Sequence, residues 1–240
     1  SRLKQPTTMM PFMAAMPIPE GVRVVTYGRS PHAMIRLTDV AVDGVRLQTR
    51  LRLETPDGSC LATLNVPGAH LAINAAAAVA VGFALRVPLE WMGPALARFE
   101  PEGMRNRVER IGGTAVLDDA YNANPTSMLA SLATLAELPG RKVAVLGDML
   151  ELGSAEAESH ALVLDTALRS GIDFVWVTGQ RMAAAAVGRD AVRVFADAEV
   201  LSQALIHEFG IGEGDALLVK GSRGARMERV VERLRAARRA

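Results

Sequence analysis

The chain has 240 residues, half of them hydrophobic and 22% charged, with a formal net charge of +1. That balance fits a globular chain able to bury one large core or two smaller ones, and it excludes a charge-rich disordered tail. Without a basic stripe interleaved with aromatics there is no electrostatic basis for a nucleic-acid partner. No apolar run reaches the roughly 20 residues needed to cross a bilayer. The Met- and Pro-rich start, Ser1 to Pro19, lacks the compact apolar core of a signal peptide, so membrane insertion is not expected and a cytoplasmic location is. Cys60 stands alone, which rules out an internal disulfide and suits a reducing compartment. An opening without Met among prolines reads as the interior of a longer polypeptide.

Val22 to Tyr27 reads as a strand. Ala33 to Val42, Val45 to Leu53 and Cys60 to Val66 alternate apolar with polar residues, and the intervening Asp43-Gly44 and Pro56-Asp57-Gly58 are hairpin signals, so antiparallel sheet is expected. From His70 the period changes to that of an Ala-rich helix running to about Leu85. A second helix opens near Pro88 and runs to about Phe99. Pro101-Glu102-Gly103 marks the expected domain boundary, dividing residues 1–102 from 103–240. Short apolar strands then alternate with helices: Thr114 to Leu117, helix Pro125 to Leu138; Lys142 to Leu146, helix Ala155 to Arg169; Phe174 to Val177, helix Arg181 to Val187; Arg193 to Phe195, helix Ala198 to Phe209; Ala216 to Val219, helix Ala225 to Ala237. This is the α/β rhythm of a mostly parallel, doubly wound, Rossmann-like sheet.

Two strands of that series end in polar clusters. Leu117-Asp118-Asp119-Ala120-Tyr121-Asn122-Ala123-Asn124-Pro125 needs one Asn or Asp to cap the following helix and holds two of each plus a Tyr. Val145-Leu146-Gly147-Asp148-Met149-Leu150-Glu151-Leu152-Gly153 has the same pattern, with Ser154 available to cap the helix that carries His160. Turns after neighbouring strands of a doubly wound sheet lie at one edge, where ligands bind. A third turn, Lys220-Gly221-Ser222-Arg223-Gly224, is open to two readings: an anion site built from backbone N–H groups and a cation, or a plain loop. His70 and Asn74 fall one helical turn apart, as a capping or solvated pair or as a pair facing a ligand, with the small residues Ala75 to Ala78 beside them. His32, His160 and His207 have no partner at metal-ligand spacing.

Taken together, these stretches closely resemble the Mur ligases, and within them the members that join D-alanyl-D-alanine to UDP-N-acetylmuramoyl-tripeptide. The likeness runs from about Val22 to the end. It implies the C-terminal part of a central ATPase domain with antiparallel strands and helices, followed by the family's Rossmann-like C-terminal domain. It also implies amide formation through an acyl phosphate, with ATP and Mg2+ as cofactors and the UDP-linked tripeptide and D-Ala-D-Ala as small-molecule substrates. By resemblance His70 and Asn74 match adenine contacts, Arg105 an ATP-phosphate contact and Asp119 the ribose contact. Tyr121, Asn122, Asn124, Asp148, Lys220 and Ser222 match the face that receives D-Ala-D-Ala. The family's phosphate loop, Mg2+ ligands and UDP-sugar domain have no counterpart in these residues and are expected upstream, so ligation by this chain alone is not expected. Leu71 replaces the Asn that the family carries after the histidine, and residues 1–10 depart from its pattern. The parent is expected to be a monomer, while the exposed edges of the sheet from Val22 to Val66 would favour self-association of this chain. The rival readings are another amide ligase of the superfamily, such as a folylpolyglutamate synthase, and a non-catalytic nucleotide- or peptide-binding module.

Overall fold

The computed structural model describes residues 18–101 and 106–239. Contacts divide the chain into two units, Ser1–Val42 with Gln48–Phe99 and Asp43–Leu47 with Glu100–Ala240. The expected boundary at residues 102 and 103, together with Arg105, lies outside the described residues.

In the first unit a four-stranded sheet has the order β1-β2-β3-β4, formed by Tyr27–Gly28, Ile35–Asp43, Gln48–Thr55 and Gly58–Leu64. β3 and β4 pair antiparallel from Thr49↔Leu64 to Thr55↔Gly58, so Pro56-Asp57 forms the two-residue turn that the sequence signals. One strand is far shorter than expected. Val22 to Thr26 is not ladder-paired, because pairing to β2 is parallel and spans only Tyr27↔Ile35 and Gly28↔Arg36. Apolar alternation makes a segment eligible for a sheet, and a neighbour in register is still needed. Two helices, α1 (Leu71–Ala84) and α2 (Leu89–Ala97), follow as expected. Ile35, Leu51, Leu53 and Leu64 of the sheet pack with Leu71, Ala75, Ala76 and Val79 of α1 into one core.

The second unit is a six-stranded sheet in the order β5-β6-β10-β7-β8-β9. Its strands are β5 (Arg107–Ile111), β6 (Thr114–Asp119), β7 (Lys142–Leu146), β8 (Phe174–Thr178), β9 (Val192–Phe195) and β10 (Ala216–Lys220). All pairings from β6 to β9 are parallel, whereas β5 runs antiparallel to β6. β5 escapes the sequence reading, although Gly112 and Gly113, both at positive φ, sit between two apolar-polar runs and make a hairpin signal. On one face α3 (Pro125–Ala136), α4 (Glu156–Arg169) and α5 (Gln180–Ala186) cover Ala115, Leu117, Leu146 and Leu218. Across the sheet α6 (Ala198–Gln203) and α7 (Glu228–Ala237) cover Val116, Val145, Leu217 and Val219. This is the expected doubly wound architecture.

Three local expectations are corrected. Ser154 does not cap α4, because the chain enters that helix through a 3-10 turn at Gly153–Ala155 and no side chain caps it. The helix expected to reach Phe209 changes at Ala204 to a π turn. The last helix begins at Glu228 instead of Ala225, since Arg226 adopts a left-handed conformation (φ 51°) that ends a short 3-10 turn.

Candidate functional site

The strand order brings the three polar turns together differently from the sequence expectation. β6 and β7 are not neighbours; β10 lies between them and pairs with both. The turn after β10, open to a plain reading, is therefore the central one. After β6 and β7 the chain leaves towards α3 and α4 on one face, and after β10 it leaves towards α7 on the other. Such a divergence opens a crevice at the carboxyl ends of the strands.

Alternation along the strands sets which side chains meet there. Asp119 and Lys220 are register partners and share the face that carries Leu117 and Leu218. The Lys220 ammonium, 1% exposed, donates to the Asp119 carboxylate, to the Asn122 carbonyl at 2.9 Å and to the Asp119 carbonyl at 3.5 Å. Burial pushes this lysine below its usual range against the pull of Asp119. Asp119 also accepts from Ser131 Oγ (3.0 Å) and from the Asn106 backbone N–H (3.1 Å). The anion reading of Lys220 thus meets a side chain turned inward onto its own fold. Asp118, one residue earlier, points to the opposite face. Burial raises its carboxyl above the usual range while Arg235, at 3.6 Å, opposes the shift.

Asn124 caps α3: its Oδ1 accepts from Ser127 N (2.9 Å), and Ser127 Oγ accepts from Asn124 N (3.1 Å). Exposed Asn122 folds its own Oδ1 onto Ala123 N (2.9 Å). Tyr121 is half-buried under Arg223, whose guanidinium carbon lies 5.4 Å from the ring centroid. Arg223 is a neighbour that the sequence reading left without a role.

Buried Asp148 faces the start of α5 and accepts from Met182 N (2.8 Å) and Arg181 N (3.3 Å). Gly179 must be glycine, since its φ is +103° and a Cβ would lie 2.4 Å from the Asp148 carboxylate. Ser222 links two turns: its N–H donates to the Asp148 carbonyl (2.9 Å), and its Oγ accepts from Leu150 N (2.9 Å). His160, fully buried, accepts from Met149 N at Nε2 (3.0 Å) and donates from Nδ1 to Glu156 O (2.7 Å), so it braces the β7 turn. Ser131 and Gly179 were missed in the sequence; the Ser127/Ser131 spacing on α3 was the available signal for the first.

In the first unit His70 precedes α1 and makes no side-chain cap bond to it. Exposed Asn74 lines a cleft of about 580 Å³ whose apolar wall includes Ala75, Ala78, Gly82 and Trp91. Among the described residues no cluster of three or more His, Cys, Asp or Glu side chains could hold a metal, and no helix is long and apolar enough to cross a membrane.

A family model described as Mur ligase, glutamate ligase domain, matches residues 105–223. The UDP-N-acetylmuramoyl-tripeptide–D-alanyl-D-alanine ligase of Escherichia coli (strain K12) is 36% identical over 187 residues, covering 78% of this chain and 41% of that protein. Its counterpart in Bacillus subtilis (strain 168) is 31% identical over 218 residues, covering 87% and 46%. Among solved structures, MurF from Acinetobacter baumannii superposes with a TM-score of 0.80 at 28% identity, over 88% of this chain and 46% of that one. MurF ligase from Thermotoga maritima in complex with ADP gives 0.76 at 26% identity, over 89% and 49%. The chain spans a little under half the length of these relatives. The polar turns gathered around β10 fall within or beside the matched stretch, and the chain belongs to the Mur ligase family.

Proposed function

We propose that this chain supplies the amine-receiving face and part of the nucleotide contacts of an ATP-dependent amide ligase that adds D-alanyl-D-alanine to UDP-N-acetylmuramoyl-tripeptide. The observation that carries the reading is the convergence of the β6, β10 and β7 turns at one sheet end, each with the sequence that resembles this group of ligases. In that reaction the tripeptide carboxylate takes the γ-phosphoryl group of ATP, the dipeptide amine attacks the acyl phosphate, and the tetrahedral adduct collapses to an amide with loss of phosphate. Tyr121, Asn122 and Asn124 present polar groups for the dipeptide, on a surface shaped by Asp148, Lys220 and Ser222. His70 and Asn74 are proposed for the adenine, Asp119 for the ribose and Arg105 for phosphate. Residues 1–102 then represent part of the central ATPase domain and residues 103–240 the C-terminal domain.

The described residues do not fit a Mg2+ site, having no cluster of three or more potential ligands. Nor do the 240 residues contain a G-x-x-x-x-G-K-[ST] loop for the phosphates. Two measurements test the proposal. Calorimetric titration should show D-Ala-D-Ala binding to the chain, weakened roughly tenfold by Asn122→Ala; a folded chain that ignores the dipeptide would refute the amine-receiving role. Phosphate release with UDP-tripeptide, D-Ala-D-Ala and ATP is expected to be absent for these residues alone, and turnover would overturn that division of labour.

A further inference from the structure

The resemblance places Lys220 among substrate contacts, but its surroundings point elsewhere. The ammonium is 1% exposed, and the three acceptors within its reach all belong to this chain: the Asp119 carboxylate, the Asp119 carbonyl and the Asn122 carbonyl. An ammonium has three donors, so this set accounts for each of them. The first acceptor is the group proposed for the ribose. The last belongs to the turn proposed for the dipeptide. Apart from Lys220, the Asp119 carboxylate is held by Ser131 on α3 and by the Asn106 N–H beside β5.

Resting on the reading above, we infer that Lys220 is a positioning residue that touches neither substrate and fixes the nucleotide-side carboxylate and the dipeptide-side turn relative to each other. A single buried charge on the central strand sets both halves of the surface. Removing it releases the Asn122 carbonyl and leaves Asp119 with two donors, so both ligands are affected together. A lysine bound to the dipeptide would affect one ligand only.

The chain has three lysines, Lys4, Lys142 and Lys220, which makes labelling of the native protein with N-hydroxysuccinimidyl acetate easy to read by peptide mass spectrometry. Lys142, partly exposed, should label, and Lys220 should resist with or without ADP and D-Ala-D-Ala. Labelling of Lys220 in the free chain that D-Ala-D-Ala suppresses would overturn the inference. In Lys220→Met, titration should show ADP and D-Ala-D-Ala affinities falling by a similar factor, roughly tenfold, while hydrogen exchange speeds up at residues 120–124 and stays unchanged in α5. Loss of dipeptide affinity alone, with exchange at 120–124 unaltered, would make Lys220 a direct contact. If Lys220→Met does not fold, combining it with Asp119→Asn removes both buried charges and should restore a folded chain with fast exchange at 120–124; slow exchange there would count against the tether. Should the wild-type chain bind neither ligand, the functional reading fails, while labelling and exchange still decide the place of Lys220.

Discussion

The central strand β10 carries a cation–carboxylate pair at each end, and the two differ in what surrounds them. At its amino end Arg141 and Asp215 make a bidentate pair, with both N···O distances 2.8 Å, and Asp215 also accepts from Gly212 N at 2.8 Å. Backbone bonds from Ala115 N to Asp215 O and from Ala216 N to Arg141 O join the same three strands there. Arg141 is half-exposed and its guanidinium also lies over the Phe209 ring. At the carboxyl end the ammonium of Lys220 is buried and holds a turn whose Asn122 and Asn124 side chains reach solvent. The first pair links the entries of β7 and β10 and the second links β10 to β6, but only the second holds a turn with polar side chains at the surface. The buried pair orders a loop, whereas the half-exposed pair closes on the sheet itself.

Replacing the carboxylates tests that contrast most strongly. Asp119→Ala strands the buried Lys220 charge and should cost about 3–5 kcal/mol, whereas Asp215→Ala leaves a solvated guanidinium and should cost about 1.5–3 kcal/mol, the worth of hydrogen bonds to a charged group. Urea denaturation measures both, and equal losses would erase the distinction. Next in size, Asn124→Ala removes the side-chain half of the capping box, the acceptor for Ser127 N, and should cost about 1 kcal/mol while also weakening D-Ala-D-Ala; a loss of stability with dipeptide affinity intact would make this side chain a cap and nothing more. The smallest effect concerns Asp118. Because burial raises its folded-state pKa, the penalty is full above that raised value and absent below the ordinary carboxylate range, so its contribution to stability improves as pH falls through that window. Asp118→Asn should remove this acid-side gain from the pH–stability curve, and a curve identical to wild type would show that Arg235 already compensates the charge.

Much of the second unit was legible because its strands are short apolar runs closed by polar turns. Lys142 to Leu146 and the helix beginning at Pro125 emerge with the expected bounds within a residue or two. What sequence could not supply was adjacency. Periodicity shows that Leu117 and Leu146 end buried strands, but not that the strand at 216–220 inserts between them; that depends on packing helices on both faces. For the same reason Lys220 read as a free cation for a ligand, since its acceptors lie about a hundred positions earlier. The first unit shows the converse limit: Val22 to Thr26 has the right pattern and little to pair with. Local conformations such as the left-handed Arg226 and the 3-10 entry to α4 carry no periodic signal.

The placement of β10 also bears on how the protein comes to exist. This strand is last of the six in sequence, after β5, β6, β7, β8 and β9, yet it occupies the middle of their sheet. Without residues 216–220, β6 and β7 lack the neighbour that pairs with both, and each has an unsatisfied strand edge. Contacts so distant in sequence form slowly. The polar surface at the carboxyl ends is therefore complete only once residues 216–220 have paired, and a chain stopped before residue 216 would leave the facing edges of β6 and β7 uncovered.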